Sequence, residues 1–295
     1  MRLLGAIAEA MRPRQFTKNL FVLAALLFAD RFLHATDLLR AASAFLIFCA
    51  ASSAIYLLND ILDADNDRLH PTKKRRPIAS GKLPVGVAIV VAIGLATGSL
   101  GGSLLLGRGF AMCIGTYLVL QALYCVKLKH IVLIDVFTIA AGFVLRTVGG
   151  AVAINVPFSH WLLLCSLLLA LFLGFGKRRQ EITVLGGDAG QHRGTLEDYS
   201  IQFLDQLILV LVTATLVCYA VYSIQSQTAR LHPGLWVTVP VVLFGLFRYL
   251  YLVYQKGWGG APEEAIIRDR GLQVVLILWV LVVIFAFRIS PIPHH

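Results

Sequence analysis

Four aspartates, Asp60, Asp63, Asp65 and Asp67, are followed at once by four cations, Lys73, Lys74, Arg75 and Arg76. The residues upstream, 38–58, are overwhelmingly apolar. The pattern predicts a long apolar helix that runs into the acidic cluster and stops at Pro71. On one helix Asn59, Asp63 and Asp67 stand at i, i+4 and i+8, with Asp60 a turn before Asp63, so all point to one side. Carboxylates at a helix C-terminus meet the negative end of the macrodipole and repel each other. A hard divalent cation with oxygen ligands offsets that repulsion, and Mg²⁺ is commonly shared with substrate phosphates. Asn59, Asp60, Asp63 and Asp67 are therefore the candidate metal ligands, the three aspartates also being the catalytic candidates. Lys73, Arg75 and Arg76 stand ready to grip the same phosphates.

Other polar residues sit in apolar surroundings. Arg146 lies eleven residues after Asp135, about three helical turns, which places both on one helix face with Arg146 deep in an apolar segment. A buried arginine is costly and usually faces a polar cavity, although a structural ion pair explains it equally well. Asp135 falls nearer the water. Lys177, Arg178 and Arg179 form a second basic run, which serves either as a topology signal or as a phosphate grip. Asp198 and Asp205, seven apart, share a face and with Tyr199 could complete a site; acids in a first helical turn are also favoured on their own account. Arg248, flanked by Tyr249 and Tyr251, reads as a side chain snorkelling to the interface. The eight histidines are scattered without metal-ligand spacing.

The elements that position these groups follow from composition. Of 295 residues 58% are hydrophobic and 14% charged, with a mean hydropathy of +0.78. Such a chain is a polytopic membrane protein. The formal charge of +10 is spread between apolar runs, which argues against a nucleic-acid partner and for membrane orientation. The five cysteines all fall in apolar segments without a paired spacing, so neither a disulfide framework nor a zinc site is expected. The N-terminus is basic and amphipathic, so residues 1–18 read as an interfacial helix rather than a cleavable leader. Nine spans are expected, at about 19–34, 38–60, 84–106, 109–126, 131–153, 159–176, 204–225, 233–255 and 271–289, each near the ~20 residues a bilayer needs. With the N-terminus inside, nineteen of the 26 Lys and Arg lie in inside loops and five outside. That bias predicts an N-terminus in, C-terminus out orientation, with polar loops 59–83 and 177–202 both on the cytoplasmic face. The whole chain, 1–295, reads as one integral membrane domain. The spacing of the two loops suggests two four-helix halves plus a final helix. Gly94, Gly98 and Gly102 form the small-xxx-small pattern of closely packed helices.

The acidic motif Asn59-Asp60-x-x-Asp63-x-x-x-Asp67, the stretch Arg75-Arg76-Pro77-Ile78-Ala79-Ser80-Gly81 and the nine expected spans resemble the UbiA superfamily of intramembrane prenyltransferases along the whole chain. Within it, residues 11–19, 127–130, 134–136 with 142–146, and 176–179 resemble the decaprenyl-phosphate phosphoribosyltransferase branch. The resemblance implies an all-α bundle of nine transmembrane helices in a bacterial plasma membrane. It also implies Mg²⁺-dependent transfer of 5-phosphoribose from phosphoribosyl pyrophosphate (PRPP) to a polyprenyl phosphate, with release of pyrophosphate, for cell-wall arabinan. A homo-oligomer is compatible with it. The quinone-making members carry a second Asp-x-x-x-Asp after the sixth span. Here Asp198 is followed four residues on by Gln202, and Asp188 by His192, so that motif is absent and the segment is rich in Lys and Arg instead.

The mechanism so implied is a metal-assisted displacement at the ribose anomeric carbon. Lys73, Arg75 and Arg76, with Lys177 and Arg178, would hold PRPP phosphates, and Lys18 and Arg146 the lipid phosphate. Positive charge must bring two anions together, which suits so many cations around so few acids. An aromatic prenyltransferase of the same fold would use the same motif with a prenyl diphosphate. A transporter of anionic lipids or phosphates would need no Mg²⁺ and break no bond.

Overall fold

The computed structural model describes residues 2–70, 72–157, 159–185, 194–260 and 262–289, and these are all helical or irregular. The chain divides into two compact units, Met1–Leu27 with Arg31–Pro157, and Phe28–Asp30 with Phe158–His295. The division therefore falls after the fifth expected span, not after the fourth as two equal halves and a final helix would have it.

The first unit begins with α1 (Arg2–Ala10) and a 3₁₀ segment, Pro13–Leu23, that leads into α2 (Ala24–Phe28). Then come α3 (Ala35–Leu62), α4 (Ala64–Leu69), α5 (Val85–Leu104), α6 (Arg108–Val126) and α7 (Ile134–Ala153). Helices α3, α5, α6 and α7 are long and apolar enough to cross a membrane. Their shared core is built on Val22, Ala44, Phe48, Phe110 and Ile114, with Phe48 edge-on to both Phe110 and Tyr117. Arg40 reaches across the helix ends: its Nε donates to the Ala153 carbonyl (2.6 Å) and its Nη2 to the Leu106 carbonyl (3.0 Å). A cation there complements the negative end of α7 and satisfies carbonyls that the helix leaves open.

The 3₁₀ segment departs from the expected first span at 19–34. Its exposure repeats every third residue: Arg14, Thr17 and Leu20 are exposed, whereas Asn19 and Val22 are buried. Three residues per turn is the 3₁₀ period, so side chains at i and i+3 eclipse. The buried face lies against α7 so closely that a Cβ on Gly150 would stand 1.9 Å from the Val22 carbonyl oxygen. Glycine is required there by the approach of one backbone to another. Among the described residues eight helices, not nine, have the length and apolarity to span, because this segment is broken into a 3₁₀ and a short α piece.

A second expectation is corrected at the acidic cluster. One helix does not run to Pro71; α3 ends at Asp63, whose φ of −94° and ψ of 4° interrupt it before α4. Hydrogen bonding continues on both sides, from Asp63 N to Asn59 O (2.9 Å) and from Asp67 N to Asp63 O (2.8 Å). Asp and Asn are weak helix formers that compete for the backbone, and adjacent carboxylates repel, so the break falls among them. On α5, a Cβ at Gly94 or Gly98 would have nothing within 4 Å. Among the described residues only Gly102 of the three expected glycines meets a neighbouring helix, at the Ile47 side chain (3.9 Å).

The second unit contains α8 (His160–Leu185), α9 (Ile201–Gln225), α10 (Gln227–Leu231), a 3₁₀ turn Pro233–Thr238, α11 (Val239–Gln255), α12 (Pro262–Arg268) and α13 (Arg270–Ile289). Its membrane-length segments are His160–Val184, Ile201–Gln225, Pro233–Gln255 and Arg270–Ile289. Ser200 and Ser226 cap their helices by accepting from Phe203 N (3.1 Å) and Ala229 N (3.0 Å), as short hydroxyl side chains do at an N-cap. Lys177, Arg178 and Arg179 lie inside α8, not in a loop, since that helix continues to Leu185. Arg248 is paired. Its guanidinium forms a fork on Asp269 (3.0 and 2.7 Å), and Asp269 accepts from Leu272 N (2.7 Å) at the start of α13. The Arg248 fork holds the Asp269 carboxyl below the usual carboxylate value.

Candidate active site

The end of α3 and the start of α4 bring two of the expected acids together. Arg76 Nη1 donates to Asp67 Oδ2 (2.6 Å) and to Asp60 Oδ1 (3.1 Å), so one guanidinium nitrogen lies between two carboxylates. Both aspartates are buried. A second arginine, Arg12, binds the same Asp60 oxygen and lies over the Tyr56 ring, 5.2 Å from its centroid. Asp63 is held separately, by Lys129 Nζ at 2.7 Å. The helix break falls at Asp63 itself, which takes a different cation from the pair. Asp65 pairs with Arg68 at the surface.

The charges come from four stretches of chain. Arg12 stands between α1 and the 3₁₀ segment in the left-handed region, with φ 54° and ψ 61°. That conformation is uncommon for a residue with a Cβ and costs of order 1–3 kcal/mol. Arg76 follows the short 3₁₀ turn Lys73–Arg75, and Lys129 sits in the turn Leu128–His130. Lys73 is half-buried with its backbone N donating to the His70 ring (3.3 Å), and Arg75 is exposed. Neither Arg12 nor Lys129 is marked by sequence spacing, because each acts from a turn far along the chain from the acids. Their only signal is that each lies in one of the stretches that carry the family resemblance.

Arg146 proves to be a buried hub on α7. Its Nε donates to Asn19 Oδ1 (2.7 Å), its Nη1 to the Gly142 carbonyl (2.8 Å) and its Nη2 to the Tyr117 hydroxyl (2.9 Å). The rings of Tyr117 and Phe143 stand 4.7 and 5.4 Å from the guanidinium. Among the described residues it makes no ion pair: its partners are Asn19, Gly142 and Tyr117, while Asp135 is fully buried in the first turn of α7. Asn19 also donates towards Cys49 and Ser52. A Cβ at Gly142 would lie 2.8 Å from the Gln121 amide and 3.3 Å from Arg146 Nη1, so both side-chain ends would have to shift. Lys18, next to Asn19, donates to Gln15 one 3₁₀ turn before it.

The remaining candidates belong to the second unit. Arg178 is buried and bound to Glu181. Lys177 is half-buried, Asp198 exposed, and Tyr199 buried between Phe175 and Phe203. Asp205 takes Arg179 Nε (2.5 Å) and the Tyr254 hydroxyl (2.9 Å), with Arg179 over the Tyr254 ring at 4.3 Å. It ties three helices together and adds nothing to a site with Asp198. Asp188 and His192 lie outside the described residues.

The donor set can be tested against a divalent cation. Among the described residues no three His, Cys, Asp or Glu side chains stand as a metal cage. Mg²⁺ does not require one: it commonly takes one or two carboxylates and fills its sphere with water and substrate phosphates. Asp60 and Asp67 supply two hard oxygen donors that already converge on one positive nitrogen, with the Asn59 amide beside them. The residues fit.

A carboxylate pair beneath two arginines, at the end of a membrane-length helix in an all-helical multi-pass protein, defines a membrane enzyme of anionic substrates. The chain belongs to the UbiA prenyltransferase family, whose model matches residues 19–265. It is 38% identical over 295 residues to a decaprenyl-phosphate phosphoribosyltransferase of Corynebacterium glutamicum, covering 98% of this chain and 89% of that one. A protein of the same name from Mycobacterium tuberculosis is 34% identical over 283 residues, 94% of this chain and 93% of its own length. The solved structure of a UbiA homolog from Archaeoglobus fulgidus, bound to GPP and Mg²⁺, superposes with a TM-score of 0.75 over 96% of this chain and 99% of that one. At 15% identity that likeness is one of fold.

Proposed function

We propose that this protein transfers 5-phosphoribose from PRPP to a polyprenyl phosphate, releasing pyrophosphate, as the decaprenyl-phosphate phosphoribosyltransferases do. The observation that carries the proposal is the likeness to those enzymes over nearly the whole chain. The donor site lies on the first unit. Asp60 and Asp67, with Asn59, hold Mg²⁺, which supplies charge neutralisation for the leaving pyrophosphate. Arg76, Lys73 and Arg75 bind the PRPP phosphates, Arg76 from a place already within reach of both acids. Lys129 holds the Asp63 carboxylate in place. The lipid phosphate oxygen attacks the anomeric carbon as the bond to pyrophosphate breaks. Its oxygen is already anionic near neutral pH, so the site needs no strong general base. Lys18 takes the lipid phosphate; Arg146, buried and engaged with Asn19, fixes the segment that carries Lys18.

The 3₁₀ segment with α2 makes the ninth crossing in this reading. At about 2.0 Å per 3₁₀ residue and 1.5 Å per α residue, Pro13–Phe28 is about 30 Å long, as thick as a bilayer core. Sixteen residues then do what an α-helix needs about twenty for. Nine crossings and the Lys and Arg bias put the N-terminus and the acidic cluster in the cytoplasm of a bacterial cell. Arg75→Cys, with the native cysteines replaced, should react with an impermeant thiol reagent only after cells are opened; reaction in intact cells refutes the orientation.

Membranes containing the protein, given labelled PRPP and polyprenyl phosphate, should yield a labelled lipid in a Mg²⁺-dependent way, and Asp67→Asn should abolish it. A labelled prenylated aromatic acid, with PRPP unused, refutes the proposal.

A further inference from the structure

The two acids of the site are covered by the two arginines. The Asp60 and Asp67 side chains are 2% and 4% exposed, whereas those of Arg12 and Arg76 are 26% and 25% exposed. Anything that approaches the carboxylates meets a pair of guanidinium groups first. A lone divalent cation is repelled there and must displace three charge-assisted contacts. A pyrophosphate that carries its own cation is attracted by the same arginines. It offers them phosphate oxygens in exchange for the carboxylates they release. Arg12 is held for this exchange by a strained left-handed backbone before Pro13 and by the Tyr56 ring.

We infer that Arg12 and Arg76 guard the aspartate pair, so that divalent cation and pyrophosphate bind as one complex and each arginine passes from carboxylate to phosphate as they arrive. Arg12 thereby joins the residues that bind the donor's pyrophosphate. The inference rests on reading the site as one for a metal pyrophosphate, and it is independent of the group that the pyrophosphate carries. By linkage, whatever factor pyrophosphate adds to cation affinity, the cation adds to pyrophosphate affinity.

The test uses the purified full chain in detergent, Mn²⁺ read by its electron paramagnetic resonance signal, and inorganic pyrophosphate. Coupling in the unaltered protein alone would follow from direct contact between the two ligands, so the variants decide. Arg76→Gln and Arg12→Gln remove a competing cation; each should bind Mn²⁺ alone about tenfold more tightly and pyrophosphate about tenfold more weakly, the scale of one charge-assisted hydrogen bond. Arg76→Lys keeps the charge and should leave binding of Mn²⁺ alone weak. Unchanged or weaker Mn²⁺ binding in both glutamine variants, with thermal unfolding showing them folded, overturns the inference. Should one variant fail to fold, the other and the lysine variant decide alone. Transfer of ribose bears on the proposed function and not on this result: opposite shifts in the two affinities stand even for an enzyme that rejects PRPP.

Discussion

Removal of Arg146 tests how the buried core serves the site. The guanidinium makes three hydrogen bonds, to Asn19, Gly142 and Tyr117, and has no acidic partner. The Asn19 contact joins α7 to the 3₁₀ segment, one residue from Lys18. A hydrogen bond to a charged group is worth about 1.5–3 kcal/mol, and each polar group left buried without a partner costs about 1–3 kcal/mol. Arg146→Ala orphans two side chains, Asn19 and Tyr117, so the loss is set by them rather than by the charge. A positioning role then predicts a fall in kcat/KM for polyprenyl phosphate of about tenfold to hundredfold, with the KM for PRPP changed less than about threefold. Arg146→Lys should not restore activity, because an ammonium cannot serve three directions in one plane. Asn19→Ala should reproduce the defect, and the double variant should be little worse than either single one. Steady-state kinetics of the four proteins give the coupling energy, expected above about 1 kcal/mol. Additive losses, or an Asn19→Ala enzyme of ordinary activity, would refute the positioning role and return Arg146 to direct contact with the lipid phosphate.

Two further outcomes follow from the packing. Gly150→Ala drives a Cβ into the Val22 carbonyl, which is backbone and has little room to yield; it should cost about 1–3 kcal/mol and lower the midpoint of thermal unfolding in detergent, whereas Gly98→Ala, facing open space, should leave it nearly unmoved. Asp269 has its carboxyl value lowered by the Arg248 fork, so it contributes stability that is fully present above the unfolded value, about pH 4, and is lost as pH falls through the lower folded value. Unfolding midpoints taken at pH 7 and pH 3 should therefore fall further in the unaltered protein than in Asp269→Asn; equal falls would refute the assignment.

The long helices were legible because apolar length alone marks them, and so was the place of the site, because four aspartates at the end of such a run are otherwise unstable. What pairs with those aspartates was not. Arg12, Arg76 and Lys129 reach Asp60, Asp67 and Asp63 from three different turns, and spacing along a chain says nothing about turns that meet only after folding. Helical periodicity likewise holds only while the helix does, and the same carboxylates that make the site interrupt it at Asp63, which Lys129 holds. The basic run at Lys177–Arg179 reads as a loop because charge normally ends a span; α8 continues through it since Arg178 and Arg179 find partners, Glu181 one turn on and Asp205 on α9.

The segment Pro13–Leu23 shows why its sequence misleads and what it does. Read at 3.6 residues per turn, its polar residues scatter around the helix and the stretch looks like a poor start to a span. Read at three, they sort into stripes. Arg12, Gln15 and Lys18 fall on one line, Asn19 and Val22 on the next, Arg14, Thr17 and Leu20 on the exposed one. Each buried or half-buried line ends on something that matters: Arg12 on Asp60, Asn19 on Arg146, Val22 on the bare backbone of Gly150. An α-helix of the same residues would drift about 60° off the Arg12 and Gln15 line with every three residues. A 3₁₀ helix has poorer hydrogen bonds and seldom runs this long, so tertiary contacts must hold it. The Gly150 contact, the Arg146–Asn19 bond and the Arg12–Asp60 pair are those contacts. The same three contacts that keep the segment in its less stable form therefore also set Arg12 against Asp60 and Asn19 against Arg146.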